Sequence, residues 1–168
     1  MALIRAARDA DVPAIAAIYE YYVRASLATF ETDPPGADEI GRRRQDVLAH
    51  ELPYLVAELE GAVAGYAYAR PYRPRLAYRF TVESSVYIHP AHARQGLGRI
   101  LMAEVIAACG KAGCRQMIAV IGDADNTASI GLHRALGFQH VGVFRSVGFK
   151  FERWVDTVLM QRRLGDAP

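Results

Sequence analysis

Apolar and polar residues recur with a helical period in the first part of this chain and predict two helices there. A short apolar run at residues 3–7 predicts an initial strand. Apolar residues then return every three or four positions through residues 9–26, and Asp9 suits the first turn of that helix. Residues 31–39 contain two prolines and break the pattern, and a second helix is predicted from Asp38 to His50.

The rest of the chain alternates strand patterns with two further helical patterns. Two strand-like runs within residues 54–72 surround a Glu-Gly turn and predict a hairpin. Helices are predicted from the glycine turn within residues 92–102 to about Ala112, and over residues 126–137. The other strands are predicted at residues 81–90, 116–122, 139–149 and 154–164.

This order of elements predicts a mixed α/β sheet. In chain order the elements read β-α-α-β-β-β-α-β-α-β-β, without a repeat or an interdomain linker, so a single domain over residues 1–168 is expected. A helix connects the strand "VESSVYI" to the strand "QMIAVI". Because a helical crossover joins parallel strands, these two are expected to be parallel neighbours.

Composition narrows the class of protein. The chain has 168 residues, 52% of them hydrophobic, and a formal net charge of +2 at pH 7. Such a balance does not favour general attraction to nucleic acid or to membrane surfaces, so neither is an expected partner. The first residues, "MALIRAARDAD", carry charges too early for a signal peptide, and no apolar run approaches the roughly 18 residues of a membrane span. A cytoplasmic protein is expected.

Two cysteines, Cys109 and Cys114, lie at a predicted helix end and at the start of the following strand. No second pair accompanies them, so the spacing of a zinc site is missing and no metal is expected. We interpret them as two small buried thiols.

The stretch "HARQGLGRILM", residues 92–102, places a Gly-x-Gly turn before a helix, with an arginine on each side. Exposed N–H groups at such a turn, together with the helix dipole, favour phosphate. The stretch lacks the Gly-Lys-Ser/Thr of a P-loop, and Met102 lies near the place of the third glycine of a dinucleotide fingerprint. A tight strand-to-helix turn without a ligand is the alternative.

Two blocks, "SVYIHPAHARQGLGRILM" and "NTASIGLHRALGF", resemble the GNAT superfamily of acetyl-CoA-dependent N-acetyltransferases. The segments "FETDP", "YLVAE", "VAGYAYA", "ESSVY" and "GFKFERWVD" extend the resemblance to its phosphinothricin and methionine-sulfoximine (methionine sulfone) acetyltransferase branch, from about Leu3 to Arg163. The resemblance implies the GNAT fold. That fold has one mixed, mostly antiparallel sheet of about seven strands, with a parallel pair at its centre and about four flanking helices.

The resemblance also implies a site for acetyl-CoA, the acetyl donor. The residues carried over are Val86, Tyr87, Ile88, Arg94, Gln95, Gly96, Gly98, Arg99, Asn126 and Ser129. The backbones of Val86 and Ile88 would bind the pantetheine arm, and the turn around Gly96 would surround the pyrophosphate. This chain has Ala93 where the family usually has Gln or Arg. Because backbone N–H groups do most of the phosphate binding, we expect altered affinity and not loss of binding. Asn126 is alternatively only a helix N-cap.

Acetyl transfer to an amine needs a group that removes the ammonium proton, a donor for the oxyanion and a proton for the thiolate. Glu83 is the implied general base, and a solvent-facing glutamate on an edge strand is the alternative. His133 stands where many family members have a proton-donating tyrosine, so it is the implied acid or relay. The alternative is a buried helix histidine that caps a carbonyl. A backbone N–H around Tyr87 and Ile88 is expected to meet the oxyanion.

Substrate choice is assigned to the loop "RPYRPRLAYRF". Arg73, Arg75 and Tyr78 are expected to clamp a carboxylate or a phosphinate or sulfone oxygen, because an arginine fork suits such groups. Phe30 is expected to wall the pocket, with Tyr87 facing the substrate. Arginines interleaved with aromatic residues also occur in RNA-binding segments, and a solvated loop is a further alternative.

The chain is therefore predicted to acetylate the α-amine of a small amino-acid-like substrate of the phosphinothricin, methionine sulfoximine or methionine sulfone type. Alternatives are an acetyltransferase of a peptide N-terminus or a polyamine, and a non-catalytic acyl-CoA-binding sensor. The resemblance implies a homodimer, and the apolar load of Phe149, Phe151 and Trp154 agrees with one.

Overall fold

The structure is a computed structural model that describes residues 1–166. Within this range seven strands and four α-helices follow one another in the predicted order. Their bounds are β1 (Leu3–Ala6), α1 (Val12–Ala25), α2 (Ala37–Ala49), β2 (Tyr54–Leu59), β3 (Ala62–Pro71), β4 (Thr81–Ile88), α3 (Leu97–Lys111), β5 (Gln116–Gly122), α4 (Thr127–Ala135), β6 (Gln139–Lys150) and β7 (Arg153–Arg163).

The largest difference from the predicted bounds is at the start of α1, which begins at Val12 and not near Asp9. Residues Asp9–Asp11 form a 3₁₀ turn instead. The carboxylate of Asp11 accepts the backbone N–H of Arg8 at 2.7 Å and two hydrogen bonds from the guanidinium of Arg5. These bonds tie the turn to β1 and hold the pKa of Asp11 below its usual range.

The strands form one seven-stranded sheet in the order β1-β2-β3-β4-β5-β7-β6 across the described residues. Every neighbouring pair is antiparallel except β4 and β5, which are parallel, as the helical crossover between them predicted. The predicted mixed sheet with a central parallel pair is confirmed.

The parallel strands β4 and β5 pair along only part of their length. Their register runs from Thr81 with Gln116 to Ser84 with Ala119. Beyond this point β4 continues to Ile88 against β3, while β5 continues to Gly122 against β7. The two strands therefore diverge, and a wedge-shaped gap opens in the middle of the sheet.

Helices pack on both faces of the sheet beside this gap. Tyr19 and Tyr22 of α1 contact the ring of Tyr87, with ring centroids 5.2 Å and 5.1 Å apart. The first turn of α3 lies on the opposite face, against the side chains of Val86 and Ile88. Alternate residues of β4 thus face different helices. No helix in the described part of the chain has the length and apolar character to cross a bilayer.

A buried lysine fixes the segment that follows α1. The ammonium of Lys150, at the end of β6, donates to the carbonyl oxygens of Ser26 at 2.6 Å and Thr29 at 2.8 Å. Its side chain is 3% exposed, and burial lowers its pKa. Because these carbonyls have no helical partners, the lysine stabilises an otherwise irregular segment. That segment forms one wall of the site described next.

Candidate active site

Two cavities open on either side of the divergence of β4 and β5. The ion-pair cavity, about 670 Å³, is lined by charged residues that include Glu31, Arg43, Arg70 and Glu83. The turn cavity, about 540 Å³, is bordered by the glycine turn before α3. Both are lined by Ala28, Tyr87 and Gly122, so they meet where the sheet is open. A small cavity of about 60 Å³, lined by Ser84 and His133 among others, lies between the diverging strands.

The turn cavity ends at the first turn of α3. Gly96, the N-cap residue, has φ +81°, a left-handed conformation that favours glycine. Arg94 also has a positive φ, +60°. The first N–H groups of a helix have no intrahelical acceptor, so this turn presents donors and the positive end of the helix dipole to the cavity. Its geometry fits a phosphate group.

The structure brings together almost all of the residues predicted to bind the cofactor. Lining the turn cavity are Val86, Tyr87, Ile88, Arg94, Gly96, Gly98, Arg99, Asn126 and Ser129. Gln95 lies in the same turn but does not line the cavity. Ala93, the departure from the family pattern, is also part of the lining.

Backbone groups of β4 face the gap at alternate residues. His89 donates its backbone N–H to Ala64 of β3 at 2.8 Å, whereas the carbonyl of Ile88 accepts the Tyr22 hydroxyl at 2.6 Å. By this alternation the backbones of Val86 and Ile88 point to the gap, and that of Tyr87 points to β3. A strand-like ligand could pair with Val86 and Ile88. Of the two expected oxyanion donors, only the N–H of Ile88 has a suitable direction.

The ion-pair cavity contains carboxylates that are matched by arginines. Glu83 and Arg70 are cross-strand partners in β4 and β3, and their side chains form an ion pair at 2.9 Å. Glu31 accepts two hydrogen bonds from Arg43, at 2.9 Å and 2.7 Å, and one from the hydroxyl of Tyr19. The arginine is the main reason that the pKa of Glu31 lies below its usual value, and burial raises the pKa of Tyr19.

Glu83 is not on an edge strand, so that alternative interpretation is wrong. It lies on β4, the central strand of the seven, and its side chain is 17% exposed. Together with Ser85 and Tyr87 it lines the ion-pair cavity from one face of the strand. This row leads from the carboxylate to the junction of the two cavities.

Phe30 lines the ion-pair cavity, as expected of a wall residue. Its ring lies over β6 so closely that a Cβ at Gly148 would overlap it. Glycine at this position therefore leaves the space that the ring occupies against the strand. The contact joins the segment after α1 to the far edge of the sheet.

Arg73, Arg75 and Tyr78 do not line either large cavity. Strand β3 ends at Pro71, and the following residues turn away through a 3₁₀ turn at Leu76–Tyr78. The Arg73 guanidinium lies 5.1 Å from the centroid of the Tyr72 ring, which in turn packs against Tyr78. The arginine of this stretch that does line the ion-pair cavity is Arg70, on β3.

His133 is buried in α4, with 4% of its surface exposed. Its Nδ1 lies 2.7 Å from the carbonyl oxygen of Ser129, which can only accept, so Nδ1 carries the proton. The neutral ring then has its lone pair on Nε2. Burial lowers the pKa of His133, which favours this neutral form at pH 7. The carbonyl-capping interpretation is correct, and it is compatible with a role as proton acceptor.

Ser84 was not among the predicted site residues. Its hydroxyl is buried beside the small cavity and has no hydrogen-bond partner within residues 1–166. A buried hydroxyl without a partner is costly, so a polar atom beside it would be stabilising. Ser84 and His133 thus line the same small cavity, where the Ser84 hydroxyl can donate a hydrogen bond and Nε2 of His133 can accept one.

Asn126 has the N-cap role that was its alternative interpretation. Its Oδ1 accepts the backbone N–H of Ser129 at 3.2 Å. It also lines the turn cavity and the small cavity. Both interpretations of Asn126 therefore remain compatible with its position.

The prediction missed several residues that line the ion-pair cavity, namely Tyr19, Glu31, Arg42, Arg43 and Arg70. Two of them lie in stretches with a sequence signal, namely Glu31 in the segment "FETDP" and Arg70 at the start of the loop "RPYRPRLAYRF". The two arginines of α2 look like ordinary solvent-facing residues in a helical pattern. A cluster of three or more His, Cys, Asp or Glu suited to a metal is not found among the described residues.

A family model described as acetyltransferase (GNAT) family matches residues 15–138. The chain belongs to the acetyltransferase (GNAT) family. The predicted family and the predicted class of enzyme, an N-acetyltransferase, are confirmed.

Named relatives cover nearly all of this GNAT chain. It is 56% identical over 161 residues to phosphinothricin N-acetyltransferase of Alcaligenes faecalis. The aligned region covers 96% of this chain and 82% of the relative. It is 39% identical over 166 residues to the L-methionine sulfoximine/L-methionine sulfone acetyltransferase of Salmonella typhimurium. This aligned region covers 97% of this chain and 95% of the relative.

Among solved structures, the chain is similar to a GNAT superfamily phosphinothricin acetyltransferase from Sinorhizobium meliloti in complex with acetyl-CoA. The TM-score is 0.96 and the sequence identity 46%, over 99% of this chain and 90% of the other. The GNAT fold is therefore confirmed.

The neutral state of buried His133 predicts a pH dependence of stability. Its pKa is below the usual 6.5, so on acidification the unfolded chain takes up this proton before the folded chain does. The free energy of unfolding should therefore fall as the pH is lowered below about 6.5. Urea denaturation at a series of pH values measures the slope of the free energy of unfolding against pH. His133→Gln should flatten it, and His140→Gln, at an exposed position on β6, should retain it. An unchanged slope in His133→Gln would contradict the assignment.

Proposed function

We propose that this GNAT enzyme transfers acetyl from acetyl-CoA in the turn cavity to the α-amine of a small amino-acid-like substrate in the ion-pair cavity. The observation that carries this proposal is the meeting of the two cavities at Tyr87, where the parallel strands diverge. The names of the phosphinothricin and methionine sulfoximine acetyltransferase relatives support the substrate class.

The turn cavity fits acetyl-CoA, the molecule bound in the Sinorhizobium meliloti relative. The N–H groups around Gly96 and Gly98 would hold the pyrophosphate, with Arg94 and Arg99 beside them. The backbones of Val86 and Ile88 would pair with the amides of the pantetheine arm. Bound there, the cofactor supplies an acetyl thioester near the junction.

The cross-strand pair of Glu83 and Arg70 is complementary to the charges of an α-amino acid. The guanidinium of Arg70 would bind the substrate carboxylate, and the carboxylate of Glu83 would attract the ammonium, which would point toward the junction. The two protein charges already lie 2.9 Å apart, comparable to the spacing of the two charges in a zwitterion. The pair would thereby select small substrates that carry both groups.

Glu83 is proposed to take the proton that the amine must lose. Tyr87, at the junction, is four residues along β4, a distance of roughly 13 Å between Cα atoms. The Ser85 side chain lies between them on the same face and lines both the ion-pair cavity and the small cavity. We therefore propose that Ser85 and water carry the proton from the amine to Glu83.

His133 is proposed as a relay on the other side of the junction and not as a resting acid. In its neutral form Nε2 accepts a proton, and Ser84 offers a hydroxyl to the same small cavity. A cavity of about 60 Å³ has room for one or two water molecules. A water held by Ser84 and His133 could then exchange protons with groups in the gap.

A free-thiol release assay with acetyl-CoA tests the proposed function. The panel contains phosphinothricin, methionine sulfoximine, methionine sulfone, ordinary amino acids, a peptide with a free N-terminus and a polyamine. Turnover is expected with the amino-acid analogues. Preferred turnover of the peptide or the polyamine would overturn the substrate class, and binding without turnover of any amine would favour a sensor.

A homodimer is also proposed. β6 is an edge strand, and it presents a row of exposed apolar side chains, each more than half exposed, continuing into the turn and β7. They are Val141, Phe144, Val147, Phe149, Phe151 and Trp154. An unpaired edge with a large apolar patch favours association, and a second copy would cover it.

Gly98→Asp should weaken acetyl-CoA binding, because it places a negative charge at the proposed pyrophosphate site. A Cβ at Gly98 would lie 3.5 Å from Leu132, an ordinary contact, so the variant should fold. Gly98→Asn has nearly the same volume without the charge. Calorimetry is expected to show binding at least about ten-fold weaker, or roughly 1.4 kcal/mol, for Asp than for Asn. Equal acetyl-CoA affinities of the two variants would show that the added negative charge does not weaken binding.

Glu83→Gln should lower kcat by about 10²–10⁴-fold, because the amide keeps the size of the side chain but cannot accept the proton. Acetyl-CoA affinity should be unchanged. Raising the pH should partly restore the rate, since more amine is then neutral. Glu104→Gln, at an exposed position on α3, is the matched control. A near-normal rate for Glu83→Gln at pH 7 would show that Glu83 is not the base.

Arg70→Ala and Arg75→Ala distinguish the cavity arginine from the loop arginine. If Arg70 binds the substrate carboxylate, its removal should lower kcat/KM for amino-acid substrates by about ten- to a hundred-fold, or roughly 1.5–3 kcal/mol. Arg75→Ala should change it by less than about two-fold, because the residue does not line the cavity. The reverse result would support the clamp that the sequence predicted.

Light scattering at micromolar concentration is expected to give twice the chain mass of 18.5 kDa. Phe149→Asp should shift the mass to that of a monomer, because it places a charge in the apolar row. Leu76→Asp changes an exposed apolar residue in the loop after β3, outside the row, and should leave the dimer intact. A monomeric mass for the unchanged protein would rule out the dimer at this concentration.

A further inference from the structure

The two cysteines lie side by side because of the way α3 ends. The backbone N–H of Cys114 donates to the carbonyl of Cys109 at 3.0 Å, and that of Gly113 donates to Gly110 at 3.1 Å. With Gly113 at φ +89°, these bonds define a Schellman motif. The motif normally brings two apolar side chains into contact, at the positions that Cys109 and Cys114 occupy here.

The two thiols of this motif are not equivalent. Cys109 is completely buried, whereas Cys114 retains 7% of its surface. They lie within hydrogen-bonding reach, and a thiol proton shared from Cys109 lowers the pKa of Cys114 while raising that of Cys109. Cys114 is therefore the sulfur that more readily becomes a thiolate, the nucleophilic form.

A separate cavity gives access to Cys114. It has a volume of about 570 Å³, and its lining includes Cys114 and Gly113, Phe80 and Thr81 where β4 begins, and the polar residues His50, Glu51 and Arg79. Arg79 contributes a cationic side chain to the same lining as the carboxylate of Glu51, and a cation suits a site that develops negative charge. Cys109 does not line this cavity, so a reagent would reach it only through Cys114.

We propose that Cys109 and Cys114 form a dithiol site that a small hydroperoxide oxidises to an intrachain disulfide. The Cys114 thiolate attacks the peroxide, a sulfur–oxygen bond forms, the oxygen–oxygen bond breaks, and the leaving oxygen departs as water or alcohol. The Cys109 sulfur then attacks the resulting sulfenic acid, the sulfur–oxygen bond breaks, and the Cys109 proton leaves with hydroxide as a second water. Two thiols are oxidised and one peroxide is reduced.

This disulfide closes a ring of only six residues around an existing turn. Because the Schellman motif already holds the two residues together, oxidation requires little movement of the backbone. The glycine turn that borders the turn cavity lies at the other end of α3, so the modification is separate from the acetyl-transfer site. Its test therefore does not depend on the proposed substrate.

Oxidation of the folded protein with hydrogen peroxide tests the site. The sample is then denatured and alkylated, and its intact mass is measured. The unchanged protein should lose the mass of two hydrogen atoms and accept no alkyl group, and a thiol reductant should reverse both effects. Two alkylatable thiols after treatment, or a disulfide between two chains, would overturn the proposal.

Single-cysteine variants test the order of attack. Cys109→Ser should trap the sulfenic acid on Cys114 as one dimedone adduct, and Cys114→Ser should leave Cys109 reduced under the same conditions. Cys109→Ala is used in parallel because a buried serine hydroxyl could disturb folding, which circular dichroism checks. Equal oxidation of the two single-cysteine proteins while folded, or no adduct in either Cys109 variant, would contradict the assignment of Cys114 as the reacting thiol.

Discussion

The divergence of β4 and β5 is the constraint on which the rest of this structure depends. Parallel pairing stops after Ser84 and Ala119, although both strands continue. The backbone groups of β4 beyond this point face a gap where a strand would otherwise lie, and unpaired backbone groups favour a ligand that supplies amides. The same opening joins the turn cavity to the ion-pair cavity at Tyr87. A continuous sheet would separate them.

The principal carboxylates of the ion-pair cavity are paired with guanidinium groups. Glu31 is fixed by Arg43 and Tyr19, and Glu83 by Arg70. A polyamine site would be favoured by carboxylates without such partners, so the pairing is more compatible with a zwitterion. The Arg43–Glu31 pair joins α2 to the segment after α1, and the Arg70–Glu83 pair joins β3 to β4. The ion pairs therefore connect α2 and β3 to the cavity.

The wall opposite β4 is an irregular segment whose position comes from distant residues. Lys150 binds the carbonyls of Ser26 and Thr29, and the ring of Phe30 lies against Gly148. Both contacts come from β6, the strand that also carries the exposed apolar row. If a second copy covers that row, one strand would both form the dimer contact and support the wall of the proposed substrate cavity. Assembly and substrate binding would then be physically connected.

The sequence by itself determined the order of the elements, the parallel pair and the glycine turn. Helical and strand periods are local properties of the sequence. The preference for glycine at a position with a left-handed backbone, such as residue 96, is local too. The resemblance extended this to the residues of the turn cavity. Only the tertiary structure decided that Arg70 lines the ion-pair cavity while Arg75 does not, that Glu31 is matched by Arg43, and that His133 carries its proton on Nδ1. These features depend on the register of β3 with β4 and on the packing of remote segments, which no local pattern specifies.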